Sequence, residues 1–128
     1  MTAPLPRDPG CIFCKIAAGE LPARKIHEDD ELIAFYDIAP KAPIHFMLVP
    51  KEHIPSTAQF GPRHAALMGR IMLLAPKLAQ EQGCAPYPEG GWRIIINTGR
   101  HGGQEVPHLH VHVLGGPRPW KWGFGPEL

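Results

Sequence analysis

No stretch of this 128-residue chain approaches the roughly 20 apolar residues that span a bilayer as a helix. Its first residues, MTAPLPRDPG, lack the basic-then-apolar order of a secretory leader. Cysteine is scarce. There are three, an odd number, and two of them stand three apart, which excludes a disulfide scaffold and fits a reducing compartment. The cytoplasm is therefore the expected location. Neither sign of charge dominates: 13 Lys and Arg face 12 Asp and Glu, and the basic residues are scattered. That balance argues against a nucleic-acid stripe or a patch for anionic membrane. There is no internal repeat and no sign of a second domain. The expectation is one domain over residues 1–128, with a leader at 1–10 and an irregular tail at 117–128, large enough to bury a single core.

Proline, by contrast, is abundant at 16 residues, mostly between the periodic segments, and predicts short elements joined by stiff turns. CIFCKIAAGE reads as a short helix stopped near Gly19. KIHEDDELIAFYDI reads as two extended runs about an acidic turn at Asp29–Asp30, the second ending near Asp37. HFMLVPK is a third run; its apolar middle would also suit a buried helix, but Pro43 and Pro50 bound it too tightly. GPRHAALMGRIMLLAPKLAQEQG is the one long helix, with Leu67, Ile71, Leu74 and Leu78 on one stripe, Pro62 in its first turn and Gly83 at its stop. Pro76 inside it removes a backbone donor and should bend it. WRIIINT and HLHVHVL complete the strands, separated by the glycine-bearing loop GRHGGQEVP. The predicted fold is α+β: a mostly antiparallel five-stranded sheet with one long helix and a short N-terminal helix. Trp120 and Trp122 in the tail are expected to pack on the body.

HLHVH raises the central question. Alternation on a strand places His108, His110 and His112 on one face and Leu109, Val111 and Val113 on the other. One zinc cannot take all three imidazoles, since positions i and i+4 lie ~13 Å apart along a strand while zinc–nitrogen bonds are ~2.0–2.1 Å. A catalytic reading fits better, because neutral imidazole is a nucleophile that exchanges protons near neutral pH. The plainer alternative is a polar sheet face with three solvated imidazoles, an improbable product of chance on an alternating strand.

HLHVHVL matches at every position the His–φ–His–φ–His–φ–φ motif, φ being apolar, of the histidine triad superfamily, which this chain resembles. The similarity is closer to the histidine-triad nucleotide-binding branch. It extends through CIFCKIAAGELPA, FYDIAPKAPIHFMLVPKEHI, IINTGRHGGQEVPHLHVHVLGG and the terminal Trp region. The LGG after the triad and the Trp-bearing tail depart from the dinucleoside-polyphosphate branch. The resemblance implies hydrolysis of purine nucleoside 5'-phosphoramidates and related nucleotidyl esters, with an AMP or GMP moiety bound. In that scheme His110 attacks the α-phosphorus to give a covalent nucleotidyl-histidine, which water then cleaves. It implies that His45 orients the nucleophile and that His112 contacts the phosphate beside Gln104. Asn97, Gly103 and the neighbouring amides line the same pocket, and glycine lets backbone N–H groups come close to phosphate. Asp37 would accept from the ribose hydroxyls, with Phe13, Phe35, Ile38 and Met47 around the base; taken alone, these are ordinary turn and core residues. Many relatives carry Ser or Thr where this chain has Glu105, a carboxylate that either acts as an acid or repels an anionic leaving group. A homodimer with sheets joined edge to edge is also implied. Two alternatives stay open: a dinucleoside-polyphosphate hydrolase or nucleotidyl transferase, and a nucleotide-binding module with vestigial turnover.

Cys11 and Cys14 supply two thiolates at a spacing that suits one metal. A redox pair would follow directly on a strand, and only a proline-bearing segment precedes this one. Two buried thiols on a short helix would give the same spacing. In zinc-bearing relatives of the superfamily, the galactose-1-phosphate uridylyltransferase type among them, the first triad His is a ligand, as is the His matching PKEHI. The resemblance thus implies a structural zinc held by Cys11, Cys14, His53 and His108, with no organic cofactor. His27, His64 and His101 are read as surface residues, and Cys84 as a lone thiol.

Overall fold

A computed structural model describes residues 7–118 and 120. Trp122 lies outside them. Five antiparallel strands run in the order β1-β2-β3-β5-β4. They are β1 (Lys25–Glu28), β2 (Leu32–Tyr36), β3 (Ile44–Pro50), β4 (Trp92–Ile95) and β5 (Val111–Gly115). Two α-helices accompany them, α1 (Ile12–Ala17) and α2 (Ala65–Glu81), with 3-10 turns at Thr57–Gln59 and Pro62–His64. The predicted α+β architecture is the one observed. Among the described residues no helix is long and apolar enough to cross a membrane.

The sheet is covered on both faces, which explains why its middle strands read as continuous apolar runs rather than alternating ones. Leu32, Ala34, Phe46, Leu48, Val111 and Val113 face α2, whose Leu67, Ile71, Ala75 and Leu78 are buried on them. Ile33, Phe35, Met47 and Val49 face the other way and pack against Cys11, Phe13, Cys14 and Ile16 of the N-terminal segment. α2 continues through Pro76 and ends before Gly83, whose φ of +111° suits a residue without a Cβ. Asp29 fixes the β1–β2 turn, accepting from the amides of Glu31 at 2.8 Å and Leu32 at 3.1 Å and from Arg70 of α2 at 2.7 Å. Burial works to raise the Asp29 pKa, but Arg70, His27 and the two amides hold it well below the carboxylate range.

Three expectations change. HLHVHVL is not all strand: the ladder begins at Val111, and His108 to His110 form its extended approach. The approach is pinned by the Leu109 amide on the Ile54 carbonyl at 2.7 Å and by the His108 amide on the Val106 carbonyl at 2.8 Å. His64 is buried, not on the surface, because it sits where the 3-10 turn enters α2. Its Nδ1 accepts from the Gly61 amide at 2.9 Å, and its Nε2 lies 3.5 Å from the Glu52 carboxylate that Arg63 clamps. His27 has a partner, Asp29 Oδ2 at 2.7 Å, whereas His101 is exposed as expected. Trp120 is packed as expected, its Nε1 donating to the Gly116 carbonyl at 3.2 Å and its ring meeting the guanidinium groups of Arg93 and Arg118.

The LGG after the triad also has a structural cause. A Cβ on Gly115 would lie 2.4 Å from Cys84 Sγ, and Gly116 turns the chain at a φ of +99°. The centre of the core sets the stability. Ile71→Ala, a fully buried α2 side chain over the sheet, is expected to cost roughly 2–5 kcal/mol, read from the urea midpoint.

Candidate active site

On the face opposite α2, alternation carries the three triad imidazoles toward α1 and the β2–β3 connection, and all three are buried. They do not act as one group. His108 turns to the N-terminal segment, and His110 and His112 turn to a cavity of about 850 Å³. Its walls include Phe13, Phe35, Met47, Asp37, Asn97 and Gly103.

Main-chain partners decide, directly or through a neighbouring ring, which nitrogen of each ring carries hydrogen. A carbonyl only accepts, so His110 Nδ1, 2.7 Å from the His108 carbonyl, holds the proton, and its Nε2 keeps an in-plane lone pair. By the same logic His108 Nε2 donates to the Pro50 carbonyl at 2.8 Å, leaving Nδ1 as the lone-pair nitrogen. His45 Nδ1 accepts from the Lys41 amide at 3.0 Å, so its Nε2–H donates to His112 Nδ1 at 2.9 Å. His112 then carries hydrogen on Nε2. Strand register makes this contact: Met47 pairs with His112, and His45, two residues on, is the diagonal neighbour.

The His108 lone pair meets three other soft or borderline ligands. Nδ1 is 3.3 Å from Cys11 Sγ, 3.5 Å from Cys14 Sγ and 3.2 Å from His53 Nδ1, and Cys14 Sγ is 3.4 Å from His53 Nδ1. Tetrahedral zinc, with bonds of about 2.0–2.1 Å to nitrogen and about 2.3 Å to sulfur, needs ligand atoms about 3.3–3.8 Å apart. The donor set fits a metal in both chemistry and spacing, and the Pro50 carbonyl supplies the outer bond that orients a ligating imidazole. Asp37, His45 and His112 also converge, their ligand atoms lying within 4.8 Å of one another. A cation there would require His45 Nε2 to lose its hydrogen while Nδ1 still accepts from Lys41, which neutral imidazole does not allow. That group is a hydrogen-bond relay.

The family model described as "Scavenger mRNA decapping enzyme C-term binding" matches residues 10–123. Protein HitA of Neisseria gonorrhoeae is 49% identical over 107 residues, covering 84% of this chain and 96% of its own. The chain belongs to the histidine triad superfamily. Another histidine triad relative, the purine nucleoside phosphoramidase of Escherichia coli (strain K12), is 44% identical over 117 residues, 91% of this chain and 92% of its own. Among solved structures, a HIT family hydrolase from Legionella pneumophila superposes with a TM-score of 0.80 at 42% identity, covering 85% of this chain and 95% of that one. A zinc-bound histidine triad protein from Mycobacterium smegmatis gives 0.69 at 31%, covering 83% and 74%.

Within this histidine triad fold most of the expected residues come together. Phe13, Phe35 and Met47 are buried in the cavity wall, Ile38 stands fully exposed at its rim, and Glu105 lines it beside Gly103. Gln104 is turned away from the cavity. Its Nε2 donates to the carbonyls of Pro55 at 2.7 Å and Val106 at 2.9 Å, and its Oε1 accepts from the Gly99 amide at 2.9 Å. It braces the glycine loop, and being next to Gly103 in sequence did not reveal that direction. His45 touches His112. The wall residues Ile12, Ile16, Leu21 and Val106 were not foreseen; an apolar residue carries no mark distinguishing wall from core. A second cavity of about 730 Å³, between Gly83–Gly91 and Trp120, contains no imidazole.

Burial keeps the rings neutral. It lowers the His110 pKa against the raising influence of the His108 carbonyl and of Asp37 and Glu105. Burial, helped by His110, His45 and Lys41, brings His112 down to about 3, and burial likewise lowers His45. A base whose folded pKa lies below its unfolded value near 6.5 stabilises the fold fully above that pH and loses the contribution as pH falls toward the folded value. Acidification from pH 7.5 to 5 is therefore expected to cost about 2 kcal/mol through His112 alone. Urea midpoints at the two pH values measure it, and His112→Gln should flatten the difference.

Proposed function

We propose that this chain is a nucleotide hydrolase that cleaves purine nucleoside 5'-phosphoramidates through a nucleotidyl-histidine intermediate. The observation that carries the reading is His110: a buried, neutral imidazole whose Nδ1–H is tied to a carbonyl, in a cavity also lined by an acid and apolar rings. The similarity to the E. coli phosphoramidase supports the substrate class.

The mechanism follows from the ring assignments. The base enters between Phe13, Phe35, Met47 and the exposed Ile38, and Asp37 accepts from the ribose hydroxyls. His110 Nε2 attacks the α-phosphorus in line with the P–N bond. A nitrogen–phosphorus bond forms, the bond to the leaving nitrogen breaks, and the amine departs with a proton taken from solvent, which the water that attacks in the second step gives back. The intermediate carries a positive imidazolium, which the carboxylates of Asp37 and Glu105 favour by their field. His112, set by the Lys41–His45 relay to hold hydrogen on Nε2, donates to a phosphate oxygen. Water then attacks phosphorus from the vacated side, releasing the nucleoside monophosphate and restoring the free ring. Gln104 shapes the glycine loop from behind.

Cys11, Cys14, His53 and His108 are proposed to hold a structural zinc, supported by their spacing and by the zinc-bound relative. Four protein ligands leave no open position, so such an ion organises the site rather than activating water. β4, the last strand of the sheet among the described residues, is proposed to pair with its counterpart in a homodimer.

Incubation with an adenosine phosphoramidate is expected to release AMP faster than diadenosine polyphosphate does, with His110→Ala lowering turnover at least ~10³-fold. Preference for the polyphosphate supports the alternative hydrolase. Nucleotide binding without any turnover points to a binding module. Elemental analysis of protein purified without added metal is expected to give about one zinc per chain, and a metal-free, stably folded product contradicts the zinc assignment.

A further inference from the structure

One short helix serves two sites at once. α1 places Cys11, at its N-cap, and Cys14 in the Cys/His cluster, while Ile12, Phe13 and Ile16 form part of the cavity wall. At six residues it is far too short to hold its own shape in water. Its position is therefore set by what it is tied to: the strand face of Ile33, Phe35, Met47 and Val49, and the cluster.

The two sites meet at Phe13, which is 7% exposed. Its ring stands edge-on to His108 of the cluster at 5.9 Å, to His110 at 5.1 Å and to Phe35 at 5.7 Å. The His110 ring thus contacts both Phe13 and, at 4.7 Å, His112.

Resting on the nucleotide reading above, we propose that metal in the cluster and nucleotide in the cavity bind with reciprocal cooperativity, and that Phe13 is the positioning residue that carries it. Thiolates drawn toward His53 and His108 fix where α1 lies, so Phe13 already stands where the cavity wall and the attacking ring require it. A nucleotide packed on Phe13 favours the same helix position and keeps the thiolates within reach of the imidazoles. Linkage makes the two effects equal in size.

The test uses the full chain. Zinc affinity is measured by competition with a chromophoric chelator, with and without saturating AMP, and AMP affinity by calorimetry on zinc-loaded and chelator-treated protein. The expected result is a tightening of at least about fivefold for each ligand by the other, the same factor in both directions. Phe13→Leu, which removes part of the base-pocket wall, should weaken AMP binding alike in zinc-loaded and chelator-treated protein and so bring the factor close to one, and Phe13→Tyr, which keeps the ring, should restore it. Native protein that binds zinc and AMP independently overturns the coupling alone, and a full factor in Phe13→Leu overturns the role given to Phe13. Absence of AMP binding overturns the nucleotide reading and the coupling with it, and absence of zinc uptake does the same for the metal reading.

Discussion

A neutral imidazole has one ring nitrogen with a lone pair in the plane, and only that nitrogen can attack phosphorus or ligate a metal. This chain makes the choice with its main chain. The Pro50 carbonyl takes the Nε2 proton of His108, and the His108 carbonyl takes the Nδ1 proton of His110. Neighbouring rings on the extended approach to β5 therefore present opposite nitrogens, one toward the thiols and one toward the cavity. Both acceptors depend on the extended approach at His108–His110 being held, by the Ile54 and Val106 carbonyls, in fixed relation to the end of β3. A shift of one residue would exchange the two faces and disable both sites.

The triad rings are also buried. Burial disfavours the charged form of each ring, so at neutral pH the lone pairs stay available instead of being protonated. The sheet enforces this by being covered twice, by α2 on one face and by the N-terminal segment with α1 on the other. On β3 and β5 the cavity wall and the helix-facing core are the two faces of the same strands. His45 and Met47 share one face of β3, a step away from Phe46 and Leu48 in the helix-facing core.

Much of this was legible in the residues themselves. Strict alternation in HLHVHVL gave the two faces, the Leu67–Ile71–Leu78 stripe gave the helix, and the Cys11–Cys14 spacing gave half of a ligand set. Family resemblance, not spacing, pointed to His53 as the fourth member, and the structure brings it within reach. Misreadings arose where direction or a backbone partner decides. Gln104 and Glu105 are adjacent, yet one faces the loop and the other the cavity, and composition says nothing about which. His64 read as exposed because its partners, the Gly61 amide and Glu52, are joined to it only by a 3-10 turn that hydrophobic periodicity does not register. The acceptors that fix the ring protons are carbonyls, which every residue owns and no sequence pattern distinguishes.

The contact between Gly115 and Cys84 has a consequence for how such a chain can vary. The sulfur occupies the space that a methyl group on residue 115 would need, at the point where β5 ends and the segment after α2 returns to the sheet. Bulk at these two positions is a shared quantity, since one space serves both. A variant that enlarges residue 115 must make room at residue 84, so the volume of a thiol limits what can stand in place of this glycine.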